Sequence, residues 1–533
     1  MSFARKRGRP APEEMLCPCC FRPGLALCKD FTPATGKLRL AGLRSLMRER
    51  GLGAYVVPSG DAHSSEYVAE ADKRREWLTG FTGSAGTALV TETHALLWTD
   101  GRYFTQAEQQ LAGSEWVLMR SAAPGVPTIE KWVRAHEADG TLDGPVGVDP
   151  ALTSLAQADA WRSSGCAPIE LVRGNLVDTV RGAQKPAVAS APVRALGVEH
   201  TGERVSAKLR RLADDLADAG CTATIVGALD QIAWIFNMRG SDIECNPVFL
   251  SYAVVKLRAP AGAGAGAPVE AGADCAVCEP REVDATLYLR ALDANKHGHT
   301  AEHIEAHLTA EGCSVAVNPP HGRMALSRKI GTPLVTLRPY EEFDAAAAAD
   351  AAGCADEGAA GMVLLETAST SLVMASDIPW ARRHLVSASP IERFKAAKNS
   401  AEREGILSSG RRDAAAIVGY FAWLEEKLHA REVVTEAQGA DEISRCAPPD
   451  AHTAEIPRDR ASEAVTRVSR AMRRRRGGFD SYVGDSFPTI SSSGANAAVI
   501  HYQPTHEACA VIDASKARAS PHTPEPPPPK NRR

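Results

Sequence analysis

Apolar residues recur at helical spacing at Leu40, Leu43 and Met47, with Leu46 beside them. This predicts a helix that Gly51 and Gly53 end. The apolar run AYVVP (54–58) then predicts a strand. Ala88–Val90 and Ala95–Trp98 predict two more strands joined by a polar turn, Thr105–Leu111 a helix, and Val146–Val148 a short strand. The same succession starts again further on. Val205, Leu209, Leu212 and Leu216 predict a helix over Glu203–Ala219, and Cys221–Val226 a strand. An apolar turn (Ile232–Phe236) and a strand (Phe249–Val255) follow. The segments REWLTGFTGSAGTALV (75–90) and IAWIFNMRGSDIECNPVFLSYAVV (232–255) correspond loosely, each with a Trp and an apolar residue ahead of Gly and a strand after it. A repeated α/β domain accounts for this without any chemistry.

Asp284–Leu289, Gly361–Leu365 and Ser371–Met374 continue the α/β pattern, and Ala345–Ala352 predicts a helix. Residues 391–430 form the strongest helical stretch, with Ile406, Ala414, Ile417, Val418, Phe421 and Leu424 at roughly helical spacing. Beyond an atypical polar stretch near 445–475, Phe487–Ile490, Ala498–Ile500 and Ala510–Ile512 predict short strands. The expected organisation is an irregular extension (1–36), an α/β domain (37–180) and an Ala/Pro-rich linker (181–195). A second α/β domain (196–388) with an Ala/Gly loop at 260–279, a third region (389–513) and a disordered Pro-rich tail (514–533) follow.

A chain of 533 residues with 44% hydrophobic residues can bury several cores, about three or four domains. Its net charge of −4 gives no reason to expect a nucleic-acid partner. It has no apolar run of about 18 residues, so no membrane-spanning helix is expected. The 13 cysteines, an odd number spread over a long chain, suit reduced thiols in a cytoplasmic compartment, although the basic start MSFARKRGRP leaves organelle targeting open. Cys17, Cys19, Cys20 and Cys28 lack the paired spacing of a zinc knuckle, and Cys275 and Cys278 have no second pair; both sets read as loop cysteines.

Other polar groupings favour structure over chemistry. WTDGRYF (98–104) reads as a tight turn among core aromatics. His297, His299 and His303 lie near Glu302 but not as H-E-x-x-H, and read as a solvated helix start. Arg473–Arg476 has no aromatic partner for stacking and reads as a solvated loop. Neither a nucleophile elbow nor a phosphate loop is present. The segment DSFPTISSSGANAAVIHYQPTHEACAVIDAS (485–515) is the most informative: His501 and Asp513 lie at the ends of apolar runs, with His506 and Glu507 between them. From spacing alone, a polar loop and a strand-end aspartate are favoured over a metal site. His522 and Glu525 lie in the Pro-rich tail, which cannot hold ligands to catalytic tolerance.

Five long strings resemble aminopeptidase P, the Xaa-Pro aminopeptidase of the creatinase/methionine aminopeptidase superfamily. They are VVPSGDAHSSEY (56–67), RREWLTGFTGSAGTA (74–88), LLWTDGRYF (96–104), GALDQIAWIFNMRGSDIECNPVF (227–249) and SFPTISSSGANAAVIHY (486–502). The resemblance implies two creatinase N-terminal-like α/β domains followed by a truncated pita-bread (α+β) catalytic domain. It implies a homodimer that removes the first residue of peptides with proline second, using two divalent ions, commonly manganese. By the same resemblance His501 is the substrate-pocket histidine and Asp513 the first metal ligand, although Ala514 and Ser515 stand where the family has Ser-Gly. The family's second aspartate, its metal-binding histidine and its two glutamates have no matching positions. Two expectations follow: the chain is inactive, and its last hundred residues fold poorly. A non-catalytic dimerisation or binding protein built on the two α/β domains is the alternative.

Overall fold

The computed structural model describes residues 31–258, 282–290, 301–317, 332–344, 347–349, 353, 361–446 and 486–513, apart from single residues 167 and 189. The cysteine clusters, His297, His299, Arg473–Arg476, the Ala/Gly loop, the atypical stretch and the Pro-rich tail lie outside the described residues. Two compact units are present, up to Arg403 and from Glu404 onward.

The first unit opens with the helix Pro33–Glu49, where Thr32 and Thr35 form a reciprocal cap and Pro33 occupies the first turn. That cap starts the helix inside the stretch expected to be irregular. Strands β1 (Ala54–Pro58), β2 (Thr87–Thr91), β3 (Ala95–Thr99), β4 (Val117–Arg120), β5 (Val146–Val148) and β6 (Glu170–Leu171) make a six-stranded sheet in the order β4-β3-β2-β1-β5-β6. Alternate residues take opposite faces. Tyr55, Val57, Ala88 and Val90 pack with Leu40, Leu43 and Met47, while Ala54 and Leu89 pack with Trp98, Trp132 and Trp161.

A short pair, β7 (Arg194–Ala195) and β9 (Met238–Arg239), flanks the second half of this unit. There β8 (Cys221–Val226), β10 (Ser251–Leu257), β11 (Val283–Leu289), β12 (Ser314–Val317), β13 (Leu334–Pro339), β14 (Met362–Glu366) and β15 (Arg383–Val386) form a seven-stranded sheet, β12-β13-β11-β10-β8-β14-β15. The repeat in the sequence is a repeat in space. In each sheet an antiparallel meander of three strands (β1-β2-β3, β8-β10-β11) is extended by parallel strands on both sides. A helix precedes each meander, Pro33–Glu49 or Val205–Asp218, and a shorter one links its first two strands, Arg74–Thr79 or Leu229–Ile235. The latter corrects the expected turn at Ile232–Phe236. Its last four residues, Ile232 to Ile235, are all apolar because all four are buried. No described helix is long and apolar enough to cross a membrane.

The β1–β5 junction rests on a close backbone approach. A Cβ on Gly53 would lie 2.4 Å from the carbonyl oxygen of Asp143 and 2.6 Å from that of Gly144. Gly53→Ala is therefore expected to cost about 1–3 kcal/mol, because backbone rather than a side-chain tip has to move. Amide exchange in β1 and β5 should rise accordingly, and unchanged exchange would contradict this reading.

The second unit carries most of the long helix Ser400–His429 and the helix Glu436–Cys446. The expected strands at Phe487–Ile490, Ala498–Ile500 and Ala510–Ile512 do not form. A 3₁₀ turn covers Gly494–Ala498, and the strand-like contact in this region is the isolated bridge Thr435↔Val511. An apolar run becomes a strand only where a neighbouring backbone pairs with it. Here Phe487, Ile490 and Val511 are exposed.

Candidate functional site

The helix Glu436–Cys446 begins with TEAQ (435–438). Thr435 Oγ1 accepts from the Gln438 N–H at 3.2 Å, and Gln438 Oε1 accepts from the Thr435 N–H at 2.9 Å, a reciprocal cap. That cap places Glu436 in the first turn, fully buried, with its carboxylate facing the segment 493–510. Oε2 accepts from the Asn496 amide, the Tyr502 hydroxyl and the Ala510 N–H, each at 2.8 Å. Oε1 accepts from the Ser493 N–H. The Glu436 N–H donates in return to the Ala510 carbonyl at 2.9 Å, and the Ile512 N–H donates to the Val434 carbonyl at 2.8 Å.

Burial by itself would raise the Glu436 carboxyl. Hydrogen bonds from Ala510, Asn496, Tyr502 and Ser493 outweigh it and hold the group below its ordinary value. The Tyr502 phenol moves the other way: burial and its bond to the carboxylate push it up to about 12. Close packing completes the contact. A Cβ on Gly439 would meet Ser491 Oγ at 2.8 Å and Tyr420 Oη at 2.9 Å, so glycine is what lets the segment lie against this helix.

The two residues singled out by resemblance sit on this tethered segment. His501 is exposed, adjoins Tyr502, and has a left-handed backbone (φ 57°), uncommon for a residue with a side chain. Asp513 is half-buried and directly follows Ile512. Between them His506 pairs with Asp441 at 3.2 Å on the surface, and Glu507 is exposed. Among the described residues, no group of three or more His, Cys, Asp or Glu side chains is arranged to hold a metal ion. Sequence reasoning missed Glu436. The available signal was the Thr-x-x-Gln cap, which marks a helix start but does not reveal what the buried glutamate binds.

Two of the other polar groupings fall on described residues. Asp100 accepts from the Arg102 N–H, Nε and Nη2 at 2.9–3.0 Å, and the bond from Arg102 holds its carboxyl below the ordinary value. Trp98 Nε1 donates to the Pro127 carbonyl, and buried Tyr103 bonds Ser84. His303 is exposed on the helix Ala301–Ala310.

Comparison with known proteins agrees with this architecture. Models of the creatinase/prolidase N-terminal domain match residues 39–181 and, separately, residues 184–261. A probable Xaa-Pro aminopeptidase P of Pyricularia oryzae is 35% identical over 489 residues, covering 89% of this chain and 65% of the relative. Aminopeptidase P2 of Arabidopsis thaliana is 34% identical, with 90% of this chain and 59% of the relative covered. The crystal structure of the X-prolyl aminopeptidase from Caenorhabditis elegans, described as a cytosolic enzyme with a di-nuclear active site, superposes with a TM-score of 0.67 at 30% identity, over 89% of this chain and 64% of that one. The chain thus spans about three fifths to two thirds of the length of these relatives.

Proposed function

Given that the chain belongs to the creatinase/Xaa-Pro aminopeptidase superfamily, we propose that its reaction class is release of the first residue from peptides with proline second, and that residues 1–533 alone do not catalyse it. The observation that carries the second half is the donor set. Two bridged divalent ions need several carboxylate and imidazole ligands held together. Asp513 with His501 does not supply them, and the described residues contain no group of three. The described residues therefore do not fit a dinuclear manganese pair. By analogy with the relative described as cytosolic, the compartment is the cytoplasm; a second copy of the chain as partner rests on the sequence resemblance alone.

The test is an assay of Xaa-Pro peptide cleavage by the pure protein with manganese. No release above background is expected, and robust turnover would sink the reading. Sequencing transcripts through the codon for Arg533 tests the reaction class. Codons for a further aspartate, a histidine and two glutamates would support it. A stop there would favour a non-catalytic protein built on the two α/β sheets.

A further inference from the structure

We propose that Glu436 is the positioning residue of the segment carrying His501 and Asp513, its buried carboxylate gathering donors from Ser493, Asn496, Tyr502 and Ala510 and so fixing that segment against the helix Glu436–Cys446. The site role of His501 and Asp513 rests on the proposed function; the clamp itself rests on geometry.

Four donors converge on one side chain from points spread between residues 493 and 510. All four are neutral. Hydrogen bonds to an ionised acceptor are about twice as strong as neutral ones, and a buried carboxylate is tolerable only when its lone pairs are filled. Two donors, Asn496 and Tyr502, also bond each other at 3.0 Å, so the tethers form one network. The segment has no sheet ladder of its own, only the single bridge at Val511. Its path is therefore set chiefly by this carboxylate. His501 directly precedes one tether, Tyr502. Asp513 follows another, Ala510, after the Ile512–Val434 bond.

Glutamine has the same shape but cannot replace the function. Its one carbonyl oxygen can serve either the Ser493 side or the side with three donors, and its NH₂ then opposes the donors left over. Alanine removes all four carboxylate tethers and leaves the backbone bonds of Glu436 to Ala510 and of Ile512 to Val434.

The test is amide hydrogen exchange on the whole chain, comparing wild type with Glu436→Ala, Glu436→Gln and Tyr502→Phe. Peptides covering 491–513 should exchange about ten- to a hundredfold faster in E436A and by an intermediate factor in E436Q, with a smaller rise in Y502F. Peptides covering β2 and β3 should not change. A second readout separates positioning from simple support. With ¹³C-labelled histidine, the His501 signal, assigned by its loss in His501→Gln, should shift in E436Q while those of His94 and His136 stay put. Equal protection in wild type and E436A would overturn the proposal. So would an unmoved His501 signal, or loss of protection across 404–446 in every variant, which would make Glu436 a general folding determinant. Turnover of an Xaa-Pro peptide would refute the proposed inactivity and leave this clamp standing, so the two failures are distinguishable.

Discussion

Replacing Arg75 with leucine should destabilise the first sheet by about 2–5 kcal/mol. The side chain is 4% exposed, and burial pulls its pKa down to about 10, with Glu76 and Tyr103 opposing. Its guanidinium is satisfied by neutral acceptors: Nε donates to Ser59 Oγ at 2.9 Å, Nη1 to the Phe81 carbonyl at 2.7 Å, and Nη2 to the Gly83 carbonyl. It also lies 4.8 Å from the centre of the Phe81 ring. One planar group thus ties the helix Arg74–Thr79 to the loop that leads into β2 and to the residue that follows β1. Leucine fills part of the volume and leaves two buried carbonyls without a donor, at about 1–3 kcal/mol each. Lysine should recover little, because a single ammonium cannot reach three acceptors held in a planar fork. The measurement is amide exchange in β1–β3 together with urea denaturation. An unfolding free energy within about 0.5 kcal/mol of wild type would refute the assignment.

Arg75 also shows what could be read in the sequence and what could not. The string RREWLTGFTGSAGTA marks kinship, yet nothing in its periodicity says that its second arginine points inward. Burial of a charged side chain depends on acceptors contributed by distant turns, and a single sequence does not display them. Regular elements were far more legible. β1, β5 and β8 lie where their apolar runs place them, because half-buried strands need apolar residues on a fixed face. The repeated α/β domain was legible as well, through the helix–strand order and the two tryptophans Trp77 and Trp234, but the pairing of its strands into a meander was not. The expected strands in 487–512 failed for the complementary reason. Apolar alternation describes a surface that pairing would bury, and here the backbone of that segment is bound instead by one glutamate and by the short stretch Val434–Thr435. His501 and Asp513 were identified by resemblance alone. The residue that holds their segment lies more than sixty positions earlier than His501, at a helix start whose cap was readable but whose contacts were not.

Stability of the first unit should fall as pH drops below about 6.5, the ordinary value for histidine, and His63 should account for part of that fall. The ring is 3% exposed and joins the two sheets. Its Nδ1 lies 2.9 Å from the Gly227 carbonyl at the end of β8, and its Nε2 lies 2.8 Å from Tyr340 Oη just after β13. A carbonyl can only accept, so Nδ1 carries the proton and Nε2 accepts from the tyrosine. Tyr252 packs against the same ring at 4.5 Å and Asp61 accepts from the His63 N–H, while Asp61 and Asp72 are the charges that favour protonation. Burial outweighs them and lowers the His63 pKa. The folded state therefore takes up its proton at lower pH than the unfolded chain. Between those two values the unfolded state binds more protons, so acid favours unfolding by up to about 1.4 kcal/mol per pH unit from this one group. Above about pH 6.5 the contribution is complete and flat. His63→Gln keeps an amide donor for Gly227 and an acceptor for Tyr340 but does not titrate, so its stability should depend less steeply on pH between 6.5 and 5. Urea midpoints at several pH values, read on wild type and variant, measure the difference. Parallel curves would show that His63 is not the group that senses acid at this junction.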